Sequence, residues 1–243
     1  MITSAAKTRL CFLVALALAA SAVAQPHPGA QGRIVPLRLS DGRMVSALWM
    51  EAQNRPAAAV VLVPMLGRPR DEWQTIGQRL AEANINALAV DLPAAALPEN
   101  QDELTRWNEV VTAAVAYLAA HPLDVRAGAI GVAGASLGAN LAAVAAAQDA
   151  RISSLALVSP SLDYRGVRIE SALAAYGPRP ALLMASVQDP YSARSVRTLA
   201  KDAPGLREVR WSSAAAHGTV LLSRDPELSA ALVEWFQRTL GVK

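Results

Sequence analysis

The sequence predicts one α/β domain built on a mostly parallel sheet of about eight strands, with helices on both faces. From residue 57 onwards, short apolar runs rich in β-branched residues alternate with helical segments of crossover length. Runs such as AAAVVLV are apolar throughout, which is typical of strands buried on both faces of a parallel sheet. A length of 243 residues and a hydrophobic share of 53% allow one such domain with a large core.

The first 24 residues are predicted to form a signal peptide that is removed on export. Lys7 and Arg9 give a positive start, and the run LCFLVALALAASAVA is too short to span a membrane comfortably. The run ends in AVA, the small-x-small pattern that a signal peptidase needs. We therefore expect cleavage after Ala24 and a periplasmic or extracellular protein.

Export changes the chemistry that the mature chain can use. Cys11 is the only cysteine and leaves with the signal peptide, so the mature protein has no disulfide and no thiol nucleophile. Loss of the two charges of Lys7 and Arg9 lowers the net charge from +3 to +1. A nearly neutral chain lacks the basic footprint of a nucleic-acid-binding protein and the basic amphipathic stretch of a membrane-surface protein. We expect no nucleic-acid partner and no stable membrane insertion after cleavage; the oligomeric state stays open.

The mature chain begins with a polar lead-in and two paired strands. The segment QPHPGAQG, residues 25–32, is rich in Pro and Gly and is predicted to be flexible, leaving a single domain over residues 33–243. RIVPLRL and MVSALWM flank the turn sequence SDGR and are predicted to pair as strands. Because Pro36 has no N–H to donate, the first of these strands is expected at an edge of the sheet.

The remaining elements alternate between strand and helix. In chain order, we predict the strand AAAVVLV, the helix RDEWQTIGQRLAEA, the strand INALAVDL, the helix TRWNEVVTAAVAYLAA, the strand RAGAIGVAG, the helix SLGANLAAVAAAQ, the strands ISSLALVSP and RPALLMASVQ, the helix YSARSVRTLAKDA, the strand LREVRW and the helix PELSAALVEWFQRTL. Only residues 161–178 leave room for an insertion over the sheet, and this segment is too short for a large cap domain. We therefore expect an open cleft.

A serine between two glycines is the first candidate for chemistry. Gly134-Ala135-Ser136-Leu137-Gly138 connects the strand RAGAIGVAG to the next helix, at the carboxyl edge where parallel sheets form their sites. A tight strand-to-helix turn can present a serine nucleophile there, and the flanking glycines remove Cβ atoms that would clash. The alternative is an ordinary small-residue turn with a capping serine.

A serine nucleophile needs a general base. Three histidines are available, of which His27 lies in the lead-in and His121 ends a helix before a proline. His217 lies in the loop that follows the strand LREVRW, at the same sheet edge as Ser136. Elimination and position both favour His217 as the base, and the alternative is a surface loop histidine.

Two aspartates compete to orient the base. Asp189 directly follows the strand ALLMAS and gives the chain order serine, aspartate, histidine that is expected for this architecture. Asp163, in SPSLDYRG after the preceding strand, is the alternative acid. Asp189 is favoured, although an aspartate before a proline is also typical of a turn or a helix N-cap.

Two backbone amides are expected to bind an oxyanion. The loop VPMLGRPRDEW follows the first parallel strand, and the N–H of Leu66 or Met65 is predicted to act with that of Leu137. Pro64 has no N–H and is excluded. The alternative for this loop is an ordinary turn built on Gly67.

Together these segments resemble the α/β-hydrolase family, in its dienelactone-hydrolase-like or esterase-like group. The matching pieces are the GASLG elbow, MLGRPRDEW, LVSPSLDYRG, SVQDPYS and AHGT, and the resemblance runs from about Arg33 to Leu240. It implies a serine hydrolase that acts on small ester substrates through a covalent acyl-enzyme. The resemblance implies no metal and no organic cofactor.

Two loops depart from the family pattern. Pro64-Met65 stand where many relatives carry His-Gly, and the segment DLPAAALP, residues 91–98, replaces a glycine-rich one. Since both loops border the predicted site, these changes are expected to alter its pocket or weaken its activity. They motivate one alternative to an esterase, a catalytically silent binding protein of the same fold. A peptidase or amidase of that fold is a second alternative, which the sequence barely separates from an esterase.

Side chains near the predicted site suggest what a substrate would meet. Four of them are candidates for an apolar pocket or for the core: Met65, Leu66, Leu97 and Tyr164. Arg68 and Arg70 follow the predicted oxyanion donor and are candidates to bind a substrate carboxylate, although loop arginines are more often solvated.

Overall fold

The computed structural model describes residues 32–93, 101–164, 166–201 and 204–242, without the side chains of residues 101 and 105. The predicted signal peptide, residues 25–31 of the lead-in and Leu97 lie outside the described residues. Within the described residues, none of the helices combines the length and the apolarity that a membrane crossing requires.

The described residues contain ten strands, eight of which form one central sheet. In chain order they are β1 (Arg33–Arg38), β2 (Met44–Met50), β3 (Ala57–Val63), β4 (Ile85–Val90), β5 (Val125–Ala135), β6 (Ile152–Val158), β7 (Asp163–Tyr164), β8 (Val167–Arg168), β9 (Ala181–Ser186) and β10 (Arg207–Ser212). The order across the sheet is β1-β2-β4-β3-β5-β6-β9-β10. In this sheet β2 alone runs in the direction opposite to the other seven strands. The prediction of a mostly parallel eight-stranded sheet is confirmed.

Helices cover both faces of this sheet. They are α1 (Gln74–Glu82), α2 (Gln101–Ala119), α3 (Leu137–Gln148), α4 (Ile169–Tyr176), α5 (Pro190–Ala200), α6 (Thr219–Arg224) and α7 (Pro226–Thr239). Helices α2 to α5 pack on one face, and α1, α6 and α7 pack on the other. Alternate residues of β3 face the two layers, Val61 and Val63 one core and Val60 and Leu62 the other, which explains why this strand is apolar throughout.

The edge position predicted for β1 is confirmed. Pro36 sits opposite Ser46 of β2, and no strand pairs with the other side of β1 in the described sheet. The connecting turn closes through hydrogen bonds between Leu39 and Arg43 (2.9 Å) and from Gly42 to Leu39 (3.0 Å). Gly42 has a φ of 85°, a conformation that favours glycine.

The described residues between 161 and 178 form secondary structure that the sequence patterns did not indicate. Strands β7 and β8 pair as a short hairpin, and α4 follows and packs against α3. Ile169, Leu173 and Tyr176 lie on one buried face of α4, at helical spacing. The segment is small, and the described residues contain no large cap, as expected.

Candidate active site

Ser136 lies on a sharp turn between β5 and α3. Its φ of 52° and ψ of −120° are strained for a residue with a Cβ. The Ser136 amide donates to the Val158 carbonyl of β6 (2.9 Å), and its own carbonyl accepts from the Ala139 amide (2.9 Å). The neighbouring strand and the first turn of α3 therefore hold the serine in this conformation.

The elbow leaves no space for side chains at Gly134 and Gly138. A Cβ on Gly134 would overlap the Gly138 carbonyl oxygen and lie 2.7 Å from the Ala139 nitrogen. A Cβ on Gly138 would overlap the carbonyl oxygens of Val63 and Pro64. Because these obstacles are backbone atoms, they cannot simply rotate away, and the prediction that both glycines prevent a clash is confirmed.

The structure brings Ser136, His217 and Asp189 into one hydrogen-bonded line. Ser136 Oγ lies 2.8 Å from His217 Nε2, and Asp189 Oδ2 lies 2.6 Å from His217 Nδ1. With the Nδ1 proton donated to the carboxylate, Nε2 is left to accept the serine proton. The His217 side chain is 47% exposed, so its imidazole can be reached from solvent.

Asp189 uses its two carboxylate oxygens for two purposes. Oδ2 accepts from His217, while Oδ1 accepts the Ser192 amide at 3.1 Å and so caps the N-terminus of α5. Burial tends to raise the pKa of the Asp189 carboxyl, but the hydrogen bonds from His217 and Ser192 outweigh burial and lower that pKa. Asp189 is therefore both a helix cap and an ionised partner of His217.

The alternative acid, Asp163, is committed to another structure. Its carboxylate accepts the Gly166 amide at 2.7 Å and Arg168 Nε at 3.0 Å, which closes the β7–β8 hairpin. These bonds, led by the one from Gly166, lower the pKa of the Asp163 carboxyl. The structure thus places Asp163 in the hairpin and not against His217.

The loop at residues 64–69, here called the oxyanion loop, contains two predicted oxyanion donors. One of them already donates to a side chain of the protein. The Met65 amide donates to Glu72 Oε1 at 2.8 Å. The Leu66 amide donates to no acceptor among the described residues. Leu137 is the first residue of α3, where an N–H has no acceptor within the helix. Of the predicted donors, Leu66 and Leu137 are the ones available.

Glu72 is a residue of the site that the sequence reasoning missed. It lies in a 3₁₀ turn, Arg70–Trp73, and its side chain is 7% exposed. In addition to Met65, its carboxylate accepts the Thr219 hydroxyl at 2.8 Å and contacts Arg68 Nε at 3.4 Å. Burial raises the pKa of the Glu72 carboxyl, although the hydrogen bonds from Met65, Thr219 and Arg68 oppose that rise. The only sequence signal for Glu72 was its position next to Trp73, a large apolar residue of the kind that is usually buried.

Ser159 is a second residue that the sequence reasoning missed. It holds the loop at residues 213–218, here called the histidine loop, by a hydrogen bond. Ser159 Oγ accepts the Gly218 amide at 2.9 Å. Ser159 is buried at the end of β6 and has a φ of 50°. Gly218 packs so closely on the oxyanion loop that a Cβ there would overlap Met65 Sδ. The two loops that border Ser136 are therefore in direct contact.

The two candidate substrate-binding arginines have partners within the protein. Arg70 donates to Asp91 Oδ2 at 2.6 Å and to Ser46 Oγ at 2.8 Å, and its amide donates to Asp91 Oδ1 at 2.7 Å. Asp91, directly after β4, thereby anchors Arg70, the residue that follows the oxyanion loop. Arg68 is more exposed and contacts Glu72. Of the four candidate pocket residues, Met65, Leu66 and Tyr164 are partly buried against the core.

The described residues contain no group of three or more histidine, cysteine, aspartate or glutamate side chains that could hold a metal ion. What they bring together at the carboxyl edge is a hydroxyl, an imidazole and a carboxylate, with two available amides nearby. This set can activate an oxygen nucleophile and stabilise an oxyanion.

Comparison with known proteins identifies the fold. The sequence matches no family model and no curated protein. Among solved structures, DcsB, determined with a substrate analogue, has a TM-score of 0.75 and 14% identity over 86% of this chain and 99% of its own. A dienelactone hydrolase from Anabaena variabilis has a TM-score of 0.71 and 17% identity, covering 86% and 98%. An esterase from Pyrococcus furiosus has a TM-score of 0.73 and 16% identity, covering 90% and 96%. Together with the strand order and the serine elbow, these similarities show that the chain has the α/β-hydrolase fold.

Proposed function

We propose that the mature protein is a serine hydrolase that cleaves carboxylic esters of small molecules through a covalent acyl-enzyme. The observation that carries this proposal is the hydrogen-bonded line from Asp189 through His217 to Ser136, at the carboxyl edge of the sheet. Two of the similar structures are a dienelactone hydrolase and an esterase, which supports an ester as the substrate.

Acylation follows from the roles that these groups can play. His217 Nε2 takes the proton of Ser136 as Oγ attacks the acyl carbonyl, and the carbonyl electrons move onto oxygen. The amides of Leu66 and Leu137 stabilise that oxyanion. Asp189 keeps the imidazole in the required tautomer and stabilises the imidazolium. When the tetrahedral intermediate collapses, the ester C–O bond breaks and His217 protonates the departing alcohol.

Deacylation repeats these steps with water. His217 removes a proton from water as its oxygen attacks the acyl-serine, and the resulting intermediate expels Ser136 Oγ. The serine regains its proton from His217, and the carboxylic acid leaves. His217 is 47% exposed, which gives water access to the proposed base.

A matched pair of substrates tests the proposal. Purified mature protein is assayed with p-nitrophenyl acetate and p-nitroacetanilide, next to Ser136→Ala. We expect the ester to be hydrolysed much faster than the amide, and Ser136→Ala to remove the ester activity. Faster turnover of the amide would favour a peptidase or amidase. A folded wild-type protein that turns over neither substrate would argue for a silent binding protein.

The proposal includes export. It is supported by the positive start and by the AVA sequence that ends at Ala24. When the full chain is expressed in a Gram-negative host, we expect the periplasmic fraction to contain a protein whose intact mass lacks residues 1–24. Full-length protein retained in the cytoplasm or the membrane would contradict cleavage.

A further inference from the structure

Glu72 connects the two loops that border the serine. Its Oε1 accepts the Met65 amide of the oxyanion loop, and its Oε2 accepts the hydroxyl of Thr219, directly after the histidine loop. We propose that Glu72 is a positioning residue that fixes the Leu66 amide relative to His217. This proposal rests on the hydrolase function proposed above.

The direction of the Leu66 amide depends on the hydrogen bonds of Met65. The Met65 N–H donates to Glu72 at 2.8 Å, and the Met65 carbonyl accepts the Arg68 amide at 3.2 Å. These bonds fix the peptide planes on both sides of Met65. In a trans peptide the Leu66 N–H points opposite to the Met65 carbonyl. Release of Met65 would therefore let the proposed oxyanion donor turn away.

The second oxygen of Glu72 ties this arrangement to the base. Thr219 lies two residues after His217 and begins α6. Gly218, between them, donates its amide to Ser159 at 2.9 Å and packs against Met65. Because Glu72 contacts both loops, a shift of one relative to the other must break one of its hydrogen bonds.

The contribution of Glu72 is expected to come from its shape more than from its charge. A glutamine at this position can accept the Met65 N–H with its carbonyl oxygen and donate its amide to Thr219 Oγ1, since a hydroxyl also accepts. Burial already raises the pKa of the Glu72 carboxyl, and Arg68 is the charged partner in direct contact. Arg79 also lines the adjacent cavity of about 260 Å³. An alanine would open Met65 to this cavity, where mobile water would replace a fixed acceptor.

Kinetics of four proteins test the proposal: wild type, Glu72→Ala, Glu72→Gln and the control Tyr176→Phe. The control removes another buried hydrogen bond, from the Tyr176 hydroxyl to the Pro180 carbonyl (2.9 Å), away from the site. With p-nitrophenyl acetate, we expect Glu72→Ala to lower kcat by about 10- to 100-fold, as a misplaced catalytic group does, with KM little changed. Glu72→Gln should recover most of that loss. Tyr176→Phe should lower the melting temperature and leave kcat unchanged.

Hydrogen exchange of the same proteins gives a readout that needs no activity. In Glu72→Ala, the amide of Met65 should exchange faster than in the wild type, because it loses its acceptor, while in Glu72→Gln it should stay protected. Unchanged exchange in Glu72→Ala would overturn the proposal, and so would a Glu72→Gln variant as impaired as Glu72→Ala. If the wild type has no esterase activity, the proposed function fails separately, and exchange still decides whether Glu72 holds the loop.

Discussion

Asp189 makes one contact that caps a helix and another with the proposed general base. Its Oδ1 caps α5 through the Ser192 amide, and its Oδ2 faces His217 Nδ1 at 2.6 Å. The sequence left two interpretations of this residue, a helix cap and an orienting acid, and the structure shows the geometry of both. The cap fixes the carboxylate relative to the end of β9, which gives His217 a rigid partner.

Replacement of Asp189 by asparagine should reduce turnover strongly without unfolding the protein. Asparagine still caps a helix, but its amide cannot serve as an ionised acceptor for the Nδ1 proton, so the imidazole is left in the wrong tautomer. For the corresponding change in a serine protease triad, kcat drops about 10⁴-fold, and we expect a loss of similar size here.

Asp163→Asn is the matched control for this prediction. Its carboxylate is bonded to Gly166 and Arg168 and not to His217, so kcat with p-nitrophenyl acetate should stay near the wild-type value. A large loss in Asp163→Asn together with normal turnover in Asp189→Asn would reverse the assignment of the acid.

The triad candidates could be predicted from sequence, whereas their supporting residues could not. Three histidines allow a choice by elimination, and a serine between glycines has a recognisable local pattern. Glu72 and Ser159 have no such pattern because their partners are distant in the chain: Glu72 and Thr219 are 147 residues apart. The hairpin contacts of Asp163 could not be predicted either, because strands of two residues leave no periodic pattern in the sequence.

At the scale of elements, the turn from β5 to α3 depends on the close approach of three pieces of backbone. Gly138 is the second residue of α3 and lies against the carbonyls at the end of β3. Gly134 lies against the first turn of the same helix. This contact holds the N-terminus of α3, and with it the Leu137 amide, next to the oxyanion loop.

Gly138→Ala should therefore be destabilising although it lies in a helix. In an open helix the same change stabilises by about 1 kcal/mol, because alanine has the higher helix propensity. Here the added Cβ would lie 2.9 Å from the Val63 carbonyl carbon and closer still to two carbonyl oxygens. We expect the free energy of unfolding to fall by about 1–3 kcal/mol, as overpacking does elsewhere. Urea denaturation measures it.

Gly42→Ala provides the comparison for that experiment. A Cβ at Gly42 meets nothing within 4 Å, so this variant carries only the strain of its positive φ. Its esterase activity should be that of the wild type, while Gly138→Ala should lose activity as well as stability. If Gly138→Ala and the wild type had the same midpoint urea concentration of unfolding, the elbow would not be tightly packed.

Short elements were the ones that sequence patterns missed. The apolar runs of β3 and β5 and the helical repeat of α7 are long enough to recognise, and these elements were predicted close to their observed bounds. Helices α4 and α6 have eight and six residues, too few to establish a helical repeat against their flanking loops. Both owe their stability to packing, since one face of each is buried in a core shared with longer helices.

At the scale of the whole molecule, the sheet order could not be predicted from the chain. Strands β5, β3 and β4 lie side by side although α1 and α2 separate them in sequence. Periodicity indicates which residues are buried but not which strand a given strand pairs with. The resemblance to α/β hydrolases carried that information, and the similar solved structures bear out the fold.

Paired carboxylates should make the stability of the molecule sensitive to acid. Asp149 accepts from Arg151, with contacts of 2.6 to 3.1 Å, and these hydrogen bonds lower the pKa of its carboxyl from the ordinary value of 3.8. Because the pKa of this carboxyl is lower in the folded state than in the unfolded chain, its ionised form stabilises the fold at pH values above the ordinary pKa. That stabilisation is lost as the pH falls through the folded-state pKa.

The variant Asp149→Asn tests this dependence. At neutral pH we expect it to be less stable than the wild type towards urea. The difference should narrow as the pH is lowered below about 4, because the wild-type carboxylate then becomes protonated too. A constant difference between the two proteins from neutral to acid pH would contradict the role given to the Asp149 carboxylate.

In the proposed function, Ser136 is a nucleophile activated by His217. The most direct test is labelling of the purified mature protein with a fluorophosphonate probe, next to Ser136→Ala and His217→Ala variants confirmed to be folded by circular dichroism. We expect rapid labelling of the wild type, with the adduct mapped to Ser136, and no labelling of either variant. A folded wild type that does not react, or a label that persists in Ser136→Ala, would contradict it.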